Sequence, residues 1–131
     1  MSLAELKGIP DVARPLWTKL VAEDLLPVHE LFASVRSYRE SLARRAQVAD
    51  TAVDLKLVDA LTDTSLELLG SLQDDTPEQT RRLVQAAVRY FVIEDDADRD
   101  LDSILGLDDD AEVLNAVVAH LGHEAWLVEI V

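Results

Sequence analysis

The chain has 131 residues, no cysteine and a formal net charge of −14; the length fits one domain, able to bury roughly two-thirds of the surface its unfolded form exposes. The lack of cysteine excludes disulfides, thiol chemistry and thiolate zinc sites, and so acidic a chain repels phosphates, which argues against sequence-nonspecific nucleic-acid binding. No apolar run approaches the roughly 18 residues of a membrane span, and Met1–Lys7 lacks the basic start and long apolar stretch of a signal peptide, so a cytoplasmic protein is expected.

Glycine and proline number four each, and apolar residues recur at spacings of three and four, which predicts helix throughout. The first helix is expected after Pro10, with Asp11 as N-cap, Pro15 in its first turns, and Leu16, Leu20 and Leu25 on its apolar side. Pro27 marks a new start, followed by the stripe Leu31, Val35, Tyr38 and Leu42. Val53, Leu57, Leu61, Thr64 and Leu68 continue at helical spacing up to Gly70, and two helices joined near Val48-Ala49-Asp50 are expected rather than one rod. Ser71–Asp75 reads as a linker.

Thr76-Pro77-Glu78-Gln79 is the clearest start signal, with Thr76 as cap, Pro77 at the first helical position and Gln79 completing a capping box. Leu83, Val84, Ala87, Val88, Tyr90 and Phe91 are apolar over a wide arc, so this helix is expected at the centre of the core. A last helix is expected to restart at Asp108-Asp109-Asp110, with Asp109 and Glu112 as a second capping box, and to bury Val113, Leu114, Val117, Val118 and Leu121 before Gly122 ends it. The apolar tail from Ala125 should dock back on the core. The expectation is a single all-α domain over residues 1–131, a bundle of five or six helices with an acidic helix-loop-helix near its C-terminus. Its helices at about 76–93 and 109–121 should form a central antiparallel pair.

The charge is unevenly spread. Residues 1–58 carry eight basic and eight acidic side chains, whereas residues 59–131 carry four arginines against eighteen acids and hold the whole excess. Residues 94–112 alone contain ten acids and Arg99. Charges this close repel unless an ion, an arginine, a helix dipole or water offsets them; Arg81, Arg82, Arg89 and Arg99 are candidate partners.

A divalent cation, calcium or magnesium, is one such counterion. Counting twelve residues from Asp98 puts Asp98, Asp100 and Asp102 at positions one, three and five, Leu105 at eight and Asp109 at twelve, the skeleton of an EF-hand loop. Ser103 stands where the turn takes glycine, and Asp109 where glutamate is usual. Asp98, Asp100, Asp102 and Asp109 are therefore candidate metal ligands.

Tyr90, Asp96, Asp100, Gly106, Asp109 and Asp110, followed by Ala111 and Val113, resemble the signature of the YkvA-like domain of unknown function. In that family a tyrosine ends an apolar helix, a proline-rich loop with two spaced aspartates follows, and a glycine and an Asp-Asp pair lead into a second apolar helix. The spacing matches without a gap, over roughly residues 80–120. The loop prolines and isoleucines do not match; residues such as Glu94, Asp98, Arg99 and Ser103 stand in their places. The resemblance implies no activity, since the family is uncharacterised. It implies that the matched aspartates cap helices and fix the loop.

Arg36, Arg39, Arg44 and Arg45 form a basic stretch on the second helix. They are read as a solvated or internally paired face, or as a partner surface in a charge-steered dimer. His120-x-x-His123-Glu124 differs from the metalloprotease arrangement and reads as a helix C-terminus balanced by histidine. His29 has no evident partner, and Trp17 and Trp126 read as packing residues. There is no nucleophile elbow, dinucleotide fingerprint or phosphate loop. The function expected is a non-catalytic interaction or regulatory module, with protein or self-association partners and a divalent cation, calcium or magnesium, as the one candidate cofactor. The alternatives are a divalent-cation-binding protein and, third, a metal-dependent hydrolase using the same acids.

Overall fold

A computed structural model describes residues 2–49, 55–93 and 104–128, with side chains for all of these except 45–49, 55 and 104–108. Among the described residues there are five α-helices and no strand: α1 Arg14–Val21, α2 Val28–Ala49, α3 Leu55–Gly70, α4 Glu78–Val92 and α5 Ile104–Leu121. The chain is all-α. Short 3-10 turns at Leu3–Glu5, Asp11–Ala13 and Glu124–Trp126 complete the described elements.

α4 is the centre. It packs against α1, α2, α3 and α5, and every residue from Leu83 to Val92 except Arg89 is buried. A helix buried over so wide an arc can serve as the common wall of several neighbours. The α2 stripe Leu31, Val35, Tyr38 and Leu42 is buried as its 4-3-4 spacing predicts, and the Tyr38 ring meets Phe91 of α4 edge-on at 5.2 Å. Leu57, Leu61, Thr64 and Leu68 face inward from α3. α2 and α3 are separate helices packed on one another; residues 50–54, Val53 among them, lie outside the described residues.

Several local expectations are corrected. Asp11 opens a 3-10 turn rather than capping α1, whose N-cap residue is Ala13 and makes no side-chain bond. α1 ends at Val21, so Leu25 falls in the following loop and is 38% exposed. Thr76 does not cap α4: its Oγ1 accepts the amide of Gln73 at 2.8 Å, closing the turn before the helix, and Pro77 holds the N-cap position. A threonine hydroxyl can bond any of several nearby backbone groups, and here the preceding turn takes it. α5 runs Ile104–Leu121, so Asp109 and Asp110 lie beyond its first turn rather than at its N-cap.

The N-terminal segment is bound to α1 by two side chains. The Arg14 guanidinium donates to the carbonyls of Ala4 at 2.7 Å and Ile9 at 3.0 Å, and the buried Trp17 indole donates to Leu3 at 2.9 Å. Leu6 and Ile9 can then enter the core. The loop after α1 is clamped from α4. Gln85, 2% exposed, accepts from the Leu26 amide at 2.8 Å and donates to the Asp24 carbonyl at 2.9 Å. Arg82 donates to the carbonyls of Val21 and Glu23, and Arg89 forks onto the Glu23 carboxylate at 3.1 and 3.3 Å. Positions 82, 85 and 89 share one helix face by their spacing.

Candidate functional site

Of the twelve-residue calcium-loop count, only positions seven to twelve fall among the described residues. α5 starts at Ile104, position seven of the twelve, so positions seven to twelve are helical. The carbonyl an EF-hand turns toward its ion at position seven belongs here to a helix, where carbonyls point along the axis to later amides. Asp98, Asp100 and Asp102, together with Asp96 and Arg99, lie outside the described residues. Among the described residues no group of three or more His, Asp or Glu side chains is placed to hold a metal ion.

Asp109 is half-buried and Asp110 is 2% exposed, on the side of α5 that faces the core. Both have partners in the structure. A carboxylate buried this far persists only when hydrogen-bonded or paired, so Asp110 is part of the packing of α5 rather than a solvated loop acid. Of the other signature residues, Tyr90 is buried in the last turn of α4 and Gly106 lies in the first turn of α5.

The described arginines of the acidic half, Arg81, Arg82 and Arg89, serve the fold. Arg81 donates to the carbonyls of Thr76 and Gln73, while Arg82 and Arg89 hold the loop after α1 as described above. Arg82 also sits 3.7 Å from Glu78, one turn back. Acids that sequence reasoning passed over line the outside of α3. Asp59, Asp63 and Glu67 recur every fourth residue, which puts them on one side of the helix, and all three are exposed. Asp59 is paired with Arg39 at 2.9 Å. Exposed Asp74 and Asp75 follow in the turn before α4. The i, i+4, i+8 spacing is the sequence signal for this stripe.

The basic stretch of α2 is not one patch. Arg39 and Arg44 stand about 140° apart around the helix at roughly 100° per residue. Arg39 is committed to Asp59, Arg36 lies over the Phe32 ring at 5.6 Å, and Arg44 is exposed. The Arg45 side chain lies outside the described residues. Internal pairing with the acidic half is therefore observed for Arg39.

The end of α5 carries the remaining chemistry. Gly122 takes φ +81°, its amide reaches Ala119 at 3.2 Å, and the His123 amide reaches Val118 at 3.0 Å. This is the paired-bond helix end that glycine favours. Backbone, not imidazole, closes the helix. His123 instead stacks on Trp126 at 4.2 Å between ring centroids, and His120 is exposed. A groove of about 750 Å³ runs along α5 beside this end, walled by Leu6, Gly8, Ala116, Ala119 and Leu127, with Lys7, Glu112 and His120 at its rim. No helix among the described residues is long and apolar enough to cross a membrane. No protein-family model, curated protein or solved structure matches the chain.

Proposed function

We propose that the protein is a non-catalytic interaction module whose acid-rich C-terminal half meets a basic surface on a protein partner. One observation carries this reading: Arg81, Arg82 and Arg89 are spent on backbone carbonyls and on Glu23, while Asp63, Glu67, Asp74 and Asp75 face solvent. The negative excess of residues 59–131 is thus available to steer a cationic partner. The unmatched resemblance to YkvA-like domains fits the same reading. Its described residues Tyr90 and Asp110 are buried at the packed α4–α5 pair, a scaffold role rather than a catalytic one. The reading is of a cytoplasmic module.

The test is binding of a lysine-rich model peptide at several salt concentrations. Binding should weaken steeply from low to physiological salt. It should be lost when Asp63, Glu67, Asp74 and Asp75 are changed to their amides, and kept when Glu5, Asp11, Asp24 and Glu40 are changed instead. Equal binding by both variants rejects the α3 stripe. Saturable calorimetric heat and a raised melting temperature with millimolar calcium or magnesium would favour the divalent-cation alternative.

A further inference from the structure

We draw no further inference here: the strongest candidate, the open apolar groove between the N-terminal segment and α5 at Gly8, Ala116 and Leu127, has both a cationic and an anionic side chain at its rim, Lys7 and Glu112, and nothing in the structure shows what covers it.

Discussion

Three glycines show how one residue type carries three different demands. Gly8 has φ +97°, and a Cβ there would stand 3.2 Å from the Cβ of Ala116, so both backbone and space require glycine. Gly122 has φ +81° with nothing within 4 Å, so only its backbone requires it. Gly70 ends α3 with neither constraint. Chemical denaturation should therefore rank the alanine variants. Gly8→Ala should lose about 2 kcal/mol and Gly122→Ala about 1 kcal/mol, while Gly70→Ala should gain roughly 0.5 kcal/mol. Gln85 is a second such residue. Gln85→Leu keeps the volume but strips partners from the Leu26 amide and Asp24 carbonyl, and should cost about 1–2 kcal/mol in the same measurement. Gly122 was legible in the sequence as a helix stop, because its signal is local. Thr76 and Asp109 were misread as caps for the complementary reason. A cap is one of several bonds an oxygen can make, and the surrounding chain decides which.

α4 organises the molecule, and the rest of the fold is arranged by what each neighbour presents to it. Its polar face is as informative as its apolar one: positions 82, 85 and 89 take the carbonyls and the carboxylate of the loop that follows α1. The end of a helix has carbonyls without internal partners, and Arg82 supplies donors for them. Arg82→Ala should cost about 1–2 kcal/mol in unfolding free energy. Arg89→Met breaks a pair with Glu23 that is about one-third exposed on both sides, and should cost well under about 1 kcal/mol. Amide exchange in residues 21–26 should accelerate more in Arg82→Ala than in Arg89→Met, and equal acceleration would contradict the ranking. The wide apolar arc of α4 was readable from its residues. That Arg82 and Arg89 clamp the loop after α1 was not, because the partners they hold there lie 59 to 66 positions away.

At the scale of the whole molecule the charge is the dominant fact. A net −14 on 131 residues makes the folded state repel itself, and salt screens that repulsion over a Debye length of about 10 Å at 0.1 M. The melting temperature should rise by a few degrees between roughly 10 mM and 200 mM sodium chloride. The amide variant of Asp63, Glu67, Asp74 and Asp75 should show a smaller rise. A melting temperature indifferent to salt in the wild-type chain would mean that the acids are already balanced within the fold.

Helical class, the stripes of α2, α4 and α5, the glycine stop at Gly122 and the charge asymmetry were determined by residue order alone, since each depends on neighbours within a turn or two or on a simple sum. Tertiary structure decided the pairing of Arg39 with Asp59, the clamp that Gln85 places on the loop after α1 and the seat that Asn115 and Thr64 make for the last described residues. Each of these depends on which distant segment arrives within hydrogen-bonding distance, and that is set by how the helices stack around α4.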